Sequence, residues 1–132
     1  LGMNLDHAPY SGIMGMESLA EDFENWGAAP DWELCARFAY QNIEVRGTGG
    51  GFFRKMYAQF LREAEAVDMR LQEAKLADAM EEIAGAWTAL GVILQQIASG
   101  QDRMLFKDSS RAIRRLAMRE ENFWGRILNL RF

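Results

Sequence analysis

Apolar residues recur along this chain at intervals of three and four, the spacing that places side chains on one face of a helix. From about Ile13 to Trp26 the positions Met16, Leu19, Ala20, Phe23 and Trp26 share a face, while Glu17, Glu21, Asp22 and Glu24 fall on others, and Gly27 supplies a stop. Pro30 and Asp31 then mark a new start with Asp31 as N-cap, and Leu34, Cys35, Phe38, Ala39 and Ile43 continue a stripe to about Val45. A third helix is predicted from about Phe52 to Ala66, turning Phe53, Met56, Tyr57, Phe60, Leu61 and Ala64 to the core. Asp68 reads as a fresh N-cap. Behind it Leu76, Met80, Ile83, Trp87, Leu90, Leu94 and Ile97 alternate four and three apart, in heptad fashion, to a stop at Gly100. Asp108, Ser109 and Ser110 offer a last N-cap before Ile113, Leu116, Ala117, Phe123, Trp124, Ile127 and Leu130. Nothing has the period of a strand. The pattern predicts an all-α fold, a five-helix bundle with one long heptad-patterned helix, in which residues 1–12 are a linker or tail and 13–132 a single domain.

A helix over Met69–Ser99 spans about 45 Å at 1.5 Å per residue, more than a domain of this size requires. Its overhang calls for a partner helix, such as one from a second copy of the chain, so a homodimer is expected. Trp26, Trp32, Trp87 and Trp124, with Met56 and Met80, are most economically placed in the core.

The one stretch that a generic bundle does not need is Arg46-Gly47-Thr48-Gly49-Gly50-Gly51-Phe52-Phe53-Arg54. Each glycine costs roughly 0.5–1 kcal/mol relative to alanine, so this loop weakens the fold by about 2–4 kcal/mol. Positive φ angles, or a ligand or neighbouring chain so close that a Cβ would collide with it, account for such a run. Because a helix follows, unpaired N–H groups near Phe52, helped by Arg46, Arg54 and Lys55, could hold an anion. The pattern is neither a Walker loop nor a dinucleotide fingerprint. The plain alternative is a tight interhelical turn crossing another helix. Glu44 and Arg46 at the entrance and Arg54 at the exit converge if the loop folds back, as a structural clamp or as a binding site. Glu120, alone among apolar residues on the last stripe, requires a partner such as arginine or a place at a groove.

The 132 residues suit one domain with a sizeable core. One cysteine, Cys35, excludes an internal disulfide, and one histidine, His7, leaves too few soft ligands for structural zinc. Cys35 reads as a small hydrophobe rather than a nucleophile. His7 beside Asp6 lacks a nucleophile to complete a catalytic set. The glutamates lack the paired Glu-x-x-His that a di-metal bundle needs, so no metal and no cofactor is expected. Residues 1–99 carry 7 basic and 15 acidic groups, and residues 100–132 carry 8 and 4. That split is better explained by a basic terminal helix packing on an acidic body than by nucleic-acid binding. No run of 18 apolar residues and no secretory signal occurs, so a soluble, cytoplasmic protein without a membrane partner is expected. The start at Leu1 suggests a piece of something longer.

The run from Trp32 to Glu63 resembles the C-terminal helical domain of the butirosin biosynthesis protein H family. The kernel is I-E-x-R-G-T-G-G-G-x-F-R-x-x-Y-x-x-F-L, here Ile43 to Leu61, followed by an Ala-rich helix with Trp87. The resemblance implies a domain of unknown function that follows a papain-like domain bearing a cysteine nucleophile and a histidine, in an enzyme of antibiotic biosynthesis. The family's namesake transfers an acyl side chain from an acyl carrier protein to an aminoglycoside. It implies that this chain is an accessory domain without catalytic residues of its own, whose partners are its own missing N-terminal domain and an acyl carrier protein. On this reading Glu44, Arg46, Thr48, Gly49, Gly50, Gly51 and Arg54 face the catalytic half or the thioester substrate, where a pantetheine phosphate or carboxylated acyl chain suits the arginines. The alternative is a non-catalytic structural or dimerisation bundle.

Overall fold

The computed structural model describes residues 12–45 and 50–130. All regular structure among them is helical: α1 (Gly12–Trp26), α2 (Trp32–Tyr40) running into a π-helical turn (Gln41–Val45), α3 (Gly50–Glu65), α4 (Met69–Ala74), α5 (Leu76–Ala98) and α6 (Leu105–Leu128). The all-α expectation holds, with six α-helices in place of five. At the centre is α5, whose stripe Leu76, Met80, Ile83, Trp87, Leu90, Leu94 and Ile97 is buried throughout. It packs against α2, α3 and α6, and α1 closes the other side of α6.

The continuous helix over 69–99 does not form. Lys75 takes a left-handed conformation, φ 54° and ψ 42°, and ends α4. Side chains remote in sequence satisfy the backbone on both sides of the break. Glu65 of α3 accepts from the Ala77 N–H at 2.9 Å, and the Arg126 guanidinium of α6 donates to the Ala74 carbonyl. Asp68 does cap α4, accepting from the Arg70 N–H at 2.9 Å, and the bonds it receives from Arg70 hold its carboxyl below the usual range. With α5 reduced to 23 residues, about 34 Å at 1.5 Å per residue, the overhang that called for a partner helix is gone.

The stripes on α2 and α3 are shifted from the expected faces. On α2 the buried positions are Ala36 and Ala39, with Ile43 beyond them, while Leu34 and Phe38 are each 60% exposed. On α3 Gly51, Ala58 and Leu61 face inward, and Phe53, Met56 and Phe60 stand 51–59% exposed. Size decides these orientations. Small residues let the helix axes approach closely, and the larger apolar side chains are turned outward. Met56 is therefore not a core residue, whereas Trp87 and Met80 are.

The last helix begins earlier than Asp108. Asp102 accepts from the Met104 N–H at 2.8 Å just before α6, and Ser109 and Ser110 are buried within it. Ser110 Oγ donates to the Ala20 carbonyl at 2.7 Å, joining α6 to α1, and Arg114 pairs with Glu24 at 3.0 Å on the same seam. The basic terminal helix thus does pack on the acidic first one.

Candidate functional site

The π-helical turn at the end of α2 carries Ile43 and Glu44 against the start of α3. Gly50 has φ +59°, and a Cβ there would stand 2.8 Å from Ile43 Cα and 2.9 Å from its carbonyl oxygen. One residue on, a Cβ on Gly51 would stand 2.1 Å from Glu44 Oε1 and 3.0 Å from Trp87 Cβ. On α5, a Cβ on Gly91 would stand 2.7 Å from Glu44 Cγ. The Glu44 side chain fills the space that these two glycines leave. Its Oε2 receives two long contacts, from Thr88 Oγ1 at 3.4 Å and Lys55 Nζ at 3.5 Å. Its Oε1 is buried with no hydrogen-bond partner among the described residues. The first turn of α3 lies beside this carboxylate.

Of the residues expected at the loop, Glu44, Gly50 and Gly51 come together, whereas Arg46, Gly47, Thr48 and Gly49 lie outside the described residues. Arg54 does not join Glu44; its place as the nearby cation is taken by Lys55. The reason is helical phase. Three residues beyond Gly51, Arg54 points across the bundle, where its Nη2 donates to Glu120 Oε1 at 2.6 Å and its Nη1 to the Gly50 carbonyl at 3.3 Å. The other Glu120 oxygen accepts from Trp87 Nε1 at 2.8 Å, and the Arg54 guanidinium lies 4.9 Å from the centre of the Trp87 ring. Glu120 is 2% exposed, so both oxygens must be satisfied internally, as they are. One point ties α3, α5 and α6 together.

Beside this pair lies a cavity of about 330 Å³. Met16 of α1, Phe53 and Tyr57 of α3, Met80 of α5 and Trp124 of α6 form its apolar wall, and Arg54 and Glu120 its polar side. Tyr57 stacks on Trp124 at 5.9 Å between ring centres and on Phe53 and Phe60 at 6.2 and 6.1 Å. Partial burial pushes the Tyr57 phenol up, so it stays protonated at neutral pH. The kernel aromatics are thus a continuous ladder along α3. The wall of this cavity is drawn from four helices, so little in the local sequence points to it. Glu120 is the one hint, as a buried carboxylate had to meet donors.

Cys35 lies half-buried near exposed Leu34 and Phe38, not inside the core. Burial, then the nearby Asp31 carboxylate 3.8 Å from its Sγ, push the thiol up, which is the reverse of nucleophile activation. His7 and Asp6 lie outside the described residues. Among the described residues no three His, Cys, Asp or Glu side chains group as a metal site, and no helix is long and apolar enough to cross a membrane.

No curated protein and no solved structure matches the chain. Its residues 2–127 match the family described as a domain of unknown function, DUF4872, and the chain belongs to that family.

Proposed function

We propose that this DUF4872 domain is the accessory helical module of a butirosin-H-like acyltransferase, in which a separate domain with a cysteine and a histidine moves an acyl group from an acyl carrier protein to an amine. The kernel from Ile43 to Leu61 suggests the family of enzyme. The observation that carries a docking role is the outer face of α3. Phe52, Phe53, Met56 and Phe60 fall within about 100° of the helix circumference, opposite Ala58 and Leu61, and are exposed. Large aromatic and methionine side chains in one exposed strip are characteristic of surfaces that another protein covers. The module's part in the reaction is positional: it presents this face to the catalytic domain and orients it for the thioester donor.

The test is made on the whole polypeptide that the gene encodes, with Met56→Glu and Phe60→Glu introduced singly. Both positions are exposed, so each variant is expected to keep the domain's stability within about 0.5 kcal/mol by urea denaturation. Acyl transfer from a carrier-protein thioester to an amine is expected to fall on the order of a hundredfold through misplacement of the reacting partners. An unchanged rate contradicts the reading, as does a coding region without a cysteine- and histidine-bearing domain. A dimer of this chain that the same substitutions break establishes the dimerisation alternative instead.

A further inference from the structure

We propose that the cavity between α1, α3, α5 and α6 is a binding site for a small, flat, uncharged molecule that carries one hydrogen-bond acceptor, such as the carbonyl of an amide. This concerns what the cavity takes up and stands apart from the accessory-domain reading. At about 330 Å³ it lies at the small end of the range of ligand sites, roughly 300–1,000 Å³, and has their composition, apolar walls with few polar groups. An apolar void of that size weakens a fold, because the lining atoms lose contacts they would otherwise make. Bulky residues from four helices nevertheless surround it. Phe53 is both part of its wall and half exposed, which places this ring at the mouth.

The polar side defines the ligand's charge. Both Glu120 oxygens are engaged, by Arg54 and by Trp87, so the carboxylate has no need of a cation. A guanidinium has five N–H donors, and among the described residues Arg54 makes only two bonds. It can therefore donate further while the pair stays intact. The pair is electrically neutral. An anion entering an apolar cavity would bring an unbalanced charge beside Glu120, and a cation would bring one beside Arg54. A neutral acceptor takes the spare N–H without that cost, and its flat body rests against Tyr57 and Trp124.

Two probes of the same shape separate charge from fit: 2-naphthamide and 2-naphthoate, titrated into the 15N-labelled 132-residue protein. The indole N–H signals report position. Trp124 lines the cavity and the Trp87 N–H donates to Glu120 on its polar side, whereas Trp26 packs on Phe23 and Phe106 at 5.0 and 5.9 Å, and Trp32 starts α2. Naphthamide is expected to shift the Trp87 and Trp124 signals saturably and to leave the other two in place, with naphthoate binding about tenfold more weakly or worse. Phe53→Ala, at a half-exposed position that keeps the four indole signals dispersed, is expected to weaken naphthamide binding about tenfold. No saturable shift at Trp87 and Trp124, equal shifts at all four indoles, naphthoate binding as tightly as naphthamide, or no effect of Phe53→Ala each overturns the proposal.

Discussion

Replacing Arg54 by alanine is expected to destabilise the fold by about 3 kcal/mol, because it leaves the Glu120 carboxylate buried without its counter-charge. Removal of one member of a buried ion pair typically costs about 3–5 kcal/mol. Here the lower end applies, since the Arg54 side chain is 21% exposed and water can reach the space it vacates, while Trp87 still donates to Glu120. For a chain of this length that loss lowers the melting temperature by about 10 °C. The decisive comparison is Arg54→Met combined with Glu120→Gln. The amide oxygen still accepts from the Trp87 indole, and no uncompensated charge remains, so the double variant is expected to lie within about 1 kcal/mol of the parent. Urea denaturation followed by tryptophan fluorescence measures all three proteins. If Arg54→Ala costs less than the double variant, Arg54 is not the internal partner on which Glu120 depends.

A second large effect is expected at Gly50. Alanine there must adopt φ near +59°, a left-handed conformation that costs an L residue about 1–2 kcal/mol. Its Cβ would also press on the Ile43 Cα and carbonyl oxygen at 2.8 and 2.9 Å, and these backbone atoms cannot swing aside as a side-chain tip can. Overpacking of this kind adds about 1–3 kcal/mol, for a total of about 3 kcal/mol. Gly85 is the control. It lies on the exposed side of α5, a Cβ there meets nothing within 4 Å, and Gly85→Ala is expected to stabilise the protein by up to about 1 kcal/mol. Equal and small effects at the two positions would mean that the crossing of Ile43 over Gly50 is not tight in solution.

The pattern of α5 was fully legible in the sequence, because its apolar stripe is made of large residues and all of them are buried. On α2 and α3 the expected stripes hold in part: Ala39, Ile43 and Leu61 are buried, but Leu34, Phe38, Phe53, Met56 and Phe60 are exposed. Hydrophobicity alone turns Phe38, Phe53, Met56 and Phe60 inward, whereas the packing is decided by small residues, Ala36, Gly51 and Ala58 beside the expected Ala39. A stripe of small residues reads as weak hydrophobicity and strong proximity, and only the second property mattered here. The break at Lys75 depends on Glu65 and Arg126, ten residues before it and far beyond it, so no local signal announces it. At the candidate site Gly50 and Gly51 mark a close approach, and what approaches them is the chain's own Ile43 and Glu44. The need of Glu120 for a donor was readable; that Trp87 shares it with Arg54 depends on how three helices register against one another.

Glycine is required on both sides of Glu44 because this side chain occupies the space a Cβ would take. Gly91→Ala in two backgrounds, the parent and Glu44→Ala, with unfolding free energies from urea denaturation, measures this requirement. In the parent, the new methyl would stand 2.7 Å from Glu44 Cγ, and a loss of about 1–3 kcal/mol is expected. With Glu44 cut back to alanine the obstacle is gone, the nearest remaining atom is Tyr40 Cδ2 at 3.7 Å, and the helix preference for alanine over glycine makes the same substitution neutral or stabilising by up to about 1 kcal/mol. A change of sign between the backgrounds is the predicted result. The same effect in both, within about 0.5 kcal/mol, would show that the two positions are independent and that Glu44 does not impose the glycine at position 91.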